Sequence, residues 1–124
     1  QCWRGGGNIL IGDRVFLGPG SKLLSSTYDL QGFYTSQLLP EKSYQIRYGD
    51  ITIGDDAYIG ANTVVMPGIT IGEGAVVGAN SLVDHNLKPW TIYFGNPAKM
   101  IGERDKPTED RRKIIESLDW TKHF

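Results

Sequence analysis

A repeat of six residues dominates this chain. From Ile53 to Lys88 the sequence divides into Ile53-Gly54-Asp55-Asp56-Ala57-Tyr58, Ile59-Gly60-Ala61-Asn62-Thr63-Val64, Val65-Met66-Pro67-Gly68-Ile69-Thr70, Ile71-Gly72-Glu73-Gly74-Ala75-Val76, Val77-Gly78-Ala79-Asn80-Ser81-Leu82 and Val83-Asp84-His85-Asn86-Leu87-Lys88. Every first position is Ile or Val, and the second is Gly in four of the six hexads. The fifth is small (Ala57, Thr63, Ala75, Ser81) or else Ile69 or Leu87. A period of six is neither helical nor the alternation of a flat amphipathic strand. It predicts a parallel β-helix, a solenoid in which each hexad gives a short strand and a turn. The leading Ile and Val residues are expected to stack as the core, with the small fifth residues turned inward near the corners. Glycine makes up 16 of the 124 residues, about twice its usual share. That excess fits a chain that turns every six residues, because Gly accepts backbone angles that other residues resist.

The same phase starts earlier, in Ile11-Gly12-Asp13-Arg14-Val15-Phe16, Leu17-Gly18-Pro19-Gly20-Ser21-Lys22 and Leu23-Leu24-Ser25-Ser26-Thr27-Tyr28. These three hexads predict one triangular coil, and Asn8-Ile9-Leu10 reads as the tail of a preceding one. The pattern lapses from about Asp29 to Asp50, then resumes at Ile51-Thr52-Ile53 for two further coils, 53–70 and 71–88. A partial coil, Ile92-Tyr93-Phe94-Gly95, closes the stack. With strands ~4.8 Å apart, four rungs give a prism only ~20 Å long. The interruption holds Phe33, Tyr34, Pro40, Tyr44 and Tyr48. A loop of ~20 residues in a compact domain is often functional; here it either packs its aromatics on the coil wall or reaches a substrate.

The tail reads as a short helix. Thr108 is placed to cap it, Glu109 and Asp110 sit in the first turn where the helix dipole favours acids, and Ile114, Ile115 and Leu118 form an apolar stripe. The stripe is expected to pack on the prism or on a neighbouring chain, with Ile114 and Leu118 as core and Arg111-Arg112-Lys113 as a solvated face. The expected organisation is a coil domain over 1–104, with an inserted loop at 29–50, followed by a helical tail over 105–124. The net charge of −1 gives no electrostatic case for nucleic acid or an anionic membrane. No apolar run reaches the ~20 residues that span a bilayer. The single cysteine, Cys2, forms no internal disulfide, and no signal-peptide pattern is read near Gln1, so a cytoplasmic protein is expected. A start at Gln1 that falls straight into Gly5-Gly6-Gly7 also fits a fragment of a longer chain.

The hexads, the loop that breaks them, and the closing run Pro89-Trp90-Thr91-Ile92-Tyr93-Phe94-Gly95-Asn96-Pro97-Ala98-Lys99-Met100-Ile101-Gly102 together resemble the hexapeptide-repeat acyltransferases. The likeness covers roughly residues 8–104 and is greatest to the branch of galactoside, maltose and xenobiotic O-acetyltransferases. The resemblance implies a left-handed parallel β-helix, a homotrimer, and an active site in each cleft between neighbouring prisms. It implies acetyl-CoA as co-substrate, no metal, and transfer of acetyl to a hydroxyl or amine of a small sugar-like or xenobiotic acceptor. The interrupting loop would reach over a neighbour and help to form the acceptor pocket. By the same resemblance, Ala61 and Ala79 meet the pantetheine arm, and Lys99 and Arg104 meet the nucleotide phosphates. A Thr-Lys pair usual near the coenzyme is replaced here by Asp84-His85.

On the catalytic side, the family's general base is a loop histidine with a pKa near neutrality. The matching stretch, Ser25-Ser26-Thr27-Tyr28-Asp29-Leu30, has no histidine; Asp29 or Thr27 stands in its place. His85 at a coil corner is the other candidate base, and His123 lies in the tail. Two function classes follow: an acetyltransferase using Asp29 or His85, or a trimeric coenzyme-binding or scaffold protein without turnover. A carbonic anhydrase built on the same repeat would need three histidines on zinc, and the chain has two.

Overall fold

The computed structural model describes residues 7–28 and 46–118. The hexads become the short strands β1 (Ile9–Ile11), β2 (Phe16–Leu17), β3 (Lys22–Leu23), β6 (Ile51–Ile53), β7 (Tyr58–Ile59), β8 (Val64–Val65), β9 (Thr70–Ile71), β10 (Val76–Val77) and β11 (Leu82–Val83). Between them, β4 (Ser26–Tyr28) and β5 (Ile46–Tyr48) belong to the interruption; β12 (Thr91–Phe94), β13 (Lys99–Glu103) and helix α1 (Glu109–Ser117) follow. Successive hexad strands go to three parallel sheets in rotation: β1-β6-β9, then β2-β7-β10-β12, then β3-β8-β11. Ile53 stands beside Ile71, Ile59 beside Val77 and Val65 beside Val83, so three hexads make one circuit. Ile11, Leu17 and Leu23 stack in phase on Ile53, Ile59 and Val65 despite the interruption.

Burial follows the repeat. The leaders Ile53, Ile59, Val65, Ile71, Val77 and Val83 are at most 1% exposed. Burying side chains of this size stabilises by about 1.5–3 kcal/mol each. The fifth residues Ala57, Thr63, Ile69, Ala75 and Ser81 are buried too. Thr63 and Ser81 bring hydroxyls inside, and both donate to the Gly78 carbonyl, at 3.1 and 2.7 Å. A buried hydroxyl left unpaired would cost more than its burial returns.

The glycines divide by position. The fourth residue of seven hexads carries the left-handed turn: Arg14, Asp56, Asn62 and Asn80 at φ 55 to 59°, and Gly20, Gly68 and Gly74 at 68 to 80°. The second-position glycines have no positive φ. Instead, a Cβ on Gly54, Gly60 or Gly72 would lie 2.5–2.6 Å from the backbone nitrogen of Glu73, Ala79 or Pro89 in the next rung. These glycines permit close stacking, and the expectation that glycine serves backbone angles holds at Gly20, Gly68, Gly74 and Gly95.

Four departures from simple periodicity matter for the site. First, the hexad starting at Leu23 leaves the coil: β4 pairs antiparallel with β5, Ser26 opposite Tyr48, so the interruption is rooted in a two-stranded arm. Second, the sixth hexad is two residues short. Leu87 stands beside Ile71 and Tyr93 beside Val77, so Leu87 and Tyr93 are leaders and Thr91 is a buried fifth residue. Third, β13 turns back antiparallel on β12 and closes that sheet. Fourth, Ile11 and Leu17 are 47% and 39% exposed, because no described rung covers their outer side. Helix α1 begins as expected, with the Thr108 hydroxyl accepting from the Arg111 N–H at 3.3 Å. It buries none of its residues. Ile114 and Leu118 are exposed, contrary to their expected place in a core, and Ile115 alone of the stripe is half-buried. No described helix is long and apolar enough to cross a membrane.

Candidate functional site

The three columns of turns distribute the candidate residues. On the second column, between the second and third sheets, Ala61 and Ala79 stack directly: the Asn80 N–H donates to the Ala61 carbonyl at 2.8 Å. Ala79 is exposed and Ala61 half-buried, so their backbone and methyl groups line a surface strip. Lys99 is exposed on β13, opposite Phe94 of β12.

The third column carries Pro67-Gly68 and then Asp84-His85-Asn86. His85 Nδ1 donates to Asp84 Oδ1 at 2.8 Å, with both side chains about half exposed at 48% and 47%. That bond fixes the tautomer, leaving Nε2 as the acceptor nitrogen in the neutral ring. A carboxylate holding one ring nitrogen while the other faces outward is an arrangement suited to accepting a proton. The ring also meets Tyr93 edge-on, with centroids 5.9 Å apart. The inserted arm leaves from this same column: the Gly49 N–H donates to the Ser25 carbonyl at 3.1 Å, and a Cβ on Gly49 would press on the backbone of Gly68. Asp29 lies outside the described residues, as do Phe33, Tyr34, Pro40, Tyr44 and His123.

Arg104 sits elsewhere, on the first column. Its Nη1 donates to the carbonyls of Asp56 and Gly74 at 2.8 and 3.1 Å, and its guanidinium lies 5.5 Å from the centre of the Trp90 ring. Nearby, Arg14 Nε donates to Asp56 Oδ1 at 2.8 Å, and that hydrogen bond holds the guanidinium pKa above its already high value. A cleft of about 820 Å³ opens here under α1, lined by Ile11, Val15, Phe16, Arg104, Ile115 and Glu116 among others. Within one copy the predicted residues therefore form three groups: Ala61 and Ala79 with Lys99 near by, Asp84 with His85, and Arg104 alone. Among the described residues, no cluster of three His, Cys, Asp or Glu side chains is placed to hold a metal. Sequence reasoning missed Phe94, whose ring edge abuts Gly78, and Trp90, which supports Arg104. The signal was the two-residue shortening after Val83, which moves Phe94 into a position that the other rungs of its sheet fill with Gly18, Gly60 and Gly78.

The family profile described as bacterial transferase hexapeptide (six repeats) matches residues 50–85. The profile covers the hexads of the second coil and most of the third. A chloramphenicol acetyltransferase from Klebsiella aerogenes is 43% identical over 124 aligned residues, covering 90% of this chain and 58% of that protein. The structure of a variant of AntD, an N-acyltransferase from Bacillus cereus, in complex with dTDP and coenzyme A, superposes with a TM-score of 0.78 at 26% identity, over 89% of this chain and 60% of that one. A galactoside acetyltransferase in complex with coenzyme A gives 0.67 at 30% identity, over 85% and 48%. The chain spans 34–58% of the length of the curated relatives it matches.

Proposed function

We propose that this chain is the coil-forming part of an acetyltransferase that moves acetyl from acetyl-CoA to a hydroxyl or amine of a small sugar-like or xenobiotic acceptor. The observation that carries this is the stacked pair Ala61–Ala79, an accessible strip on a scaffold that superposes over most of its length on coenzyme A complexes. The coil is read as a left-handed parallel β-helix over 1–104, with 105–124 as an appended tail. In this proposal the pantetheine arm lies along Ala61 and Ala79, and Lys99 meets the phosphates. Arg104 stands on the first column, where its Nη1 donates to the Asp56 and Gly74 carbonyls. The acceptor oxygen or nitrogen attacks the thioester carbonyl while a base takes its proton, the carbon–sulfur bond breaks, and the coenzyme thiolate takes up that proton from the base to leave as a thiol. Asp29 and His85 are the candidate bases, with Asp84 orienting His85. One copy places Ala79 and His85 on different columns, on either side of the third sheet, so a homotrimer that sets one copy's second column against another's third completes the cleft. The single cysteine fits a cytoplasmic setting.

Free thiol release from acetyl-CoA with a panel of amino and hydroxy sugars and aromatic antibiotics tests the activity. Asp29→Asn is expected to lower the rate by roughly 10²–10⁴-fold if Asp29 is the base, and His85→Ala by the same factor if His85 is. Light scattering is expected to give three times the mass of one chain; a single-chain mass at all concentrations would overturn the trimer. A second reading, coenzyme binding without turnover, is favoured by the absence of histidine from Ser25–Leu30. Measurable coenzyme binding with no thiol release across the panel would select it.

A further inference from the structure

We infer that Phe94, with Lys99 beside it, is a stacking platform for the adenine nucleotide end of the coenzyme; this rests on the acetyltransferase reading above. Tyr93 takes the inward place in β12, which turns Phe94 outward, and its side chain is 54% exposed. The Cδ2–Cε2 edge of the ring abuts a neighbouring rung. A Cβ on Gly78 would fall 3.1 Å from Phe94 Cε2 and closer still to Cδ2. Gly78 has no positive φ, so no turn requires glycine there. Its missing side chain is what admits the ring. In the other rungs of its own sheet this hexad position holds Gly18, Gly60 and Gly78, so an aromatic ring at this place is a departure from that column.

The surroundings supply the rest of a nucleotide subsite. Lys99 is the cross-strand partner of Phe94, and paired residues of an antiparallel ladder present their side chains on the same face. Lys99 is exposed and makes no ion pair among the described residues. Ala79, where the pantetheine arm is proposed to lie, follows Gly78 directly. The mounting is firm. The Gly95 N–H donates to Ser81 Oγ at 3.0 Å, Ser81 Oγ donates to the Gly78 carbonyl at 2.7 Å, and the Leu82 and Ala98 N–H groups bond to the Gly95 and Leu82 carbonyls at 3.0 and 2.8 Å. A ring held by its edge against backbone, and otherwise exposed, loses little freedom when a base stacks on it. The other exposed aromatic pair offers less, because Phe16 and Tyr58 already stack on each other at 4.8 Å. An adenine has the π face and its phosphates have the charge that Phe94 and Lys99 complement; the pantetheine arm has neither.

Calorimetric titration with coenzyme A and with 4′-phosphopantetheine, which lacks the adenosine, tests the platform. Phe94→Leu is expected to weaken coenzyme A roughly tenfold, the scale of one base–aromatic stack, and to leave phosphopantetheine unchanged. Phe94→Trp is expected to bind coenzyme A at least as tightly as the parent and so keeps the test open if the Leu variant melts early. Lys99→Met is expected to weaken coenzyme A and reduce the salt dependence of its binding. Equal affinity of the parent and Leu proteins for coenzyme A would overturn the platform, as would an equal loss for both probes. Failure of the parent protein to bind coenzyme A at all would instead overturn the acetyltransferase reading.

Discussion

Gly60 and Gly68 look interchangeable in a repeat rich in glycine, yet they answer to different constraints. A Cβ at Gly60 would sit 2.5 Å from the Ala79 nitrogen, against a rung that cannot recede without breaking its own ladder. A Cβ at Gly68 would meet nothing within 4 Å, and only its φ of +80° resists substitution. Gly60→Ala is therefore expected to cost more, about 3 kcal/mol or above as overpacking, and Gly68→Ala about 1–2 kcal/mol as left-handed strain. Thermal or urea melts of the two variants check the order; equal losses would mean that stacking distance is not what fixes glycine at the second position. The identity of these residues was plain in the sequence, but the reason for them was not. A six-residue period specifies which positions recur, and the distance between rungs emerges only when one coil is laid on the next.

Among the elements, the strands were legible and the ends were not. First-position Ile and Val and small fifth residues announce themselves because a narrow interior admits little else. The same pattern carried across to Ile11 and Leu17, where it predicts the strands correctly but not their exposure, since burial depends on a covering rung. After Val83 the count failed. The turn Asp84-His85-Asn86 drops two residues, which makes Leu87 and Tyr93 leaders and puts Phe94 over Gly78. Helix α1 was legible from Thr108 and the two acids behind it, whereas Ile114 and Leu118 of its apolar stripe stay exposed among the described residues. Since α1 buries no residue, it should melt apart from the coil. Thr108→Ala is expected to cost about 1 kcal/mol of helix stability and leave the main unfolding transition in place. Far-UV circular dichroism set beside the coil's melting temperature checks this, and a matching drop in both would show that the helix is part of the cooperative unit.

At the scale of the whole molecule, chemistry is divided between columns of turns. The sequence pointed to Ala61, Ala79, Asp84, His85, Lys99 and Arg104 as one set, but it could not show that a circuit of three sheets places them around the girth of a single coil. Arg104 was the least legible: its guanidinium is engaged by the carbonyls of Asp56 and Gly74, contacts made across 48 and 30 residues of chain. The exposed leaders at one end bear on how the fold comes apart. Each rung touches only the rungs beside it, so the stack behaves as a row of coupled units rather than as one block. Opening should begin where Ile11 and Leu17 lack cover and travel inward like an unfastening zipper. Amide exchange would record the front: the N–H groups of Gly12 and Gly18 are expected to trade deuterium well before those of Gly60 and Gly78. Uniform exchange along the stack would show instead that the coil opens all at once.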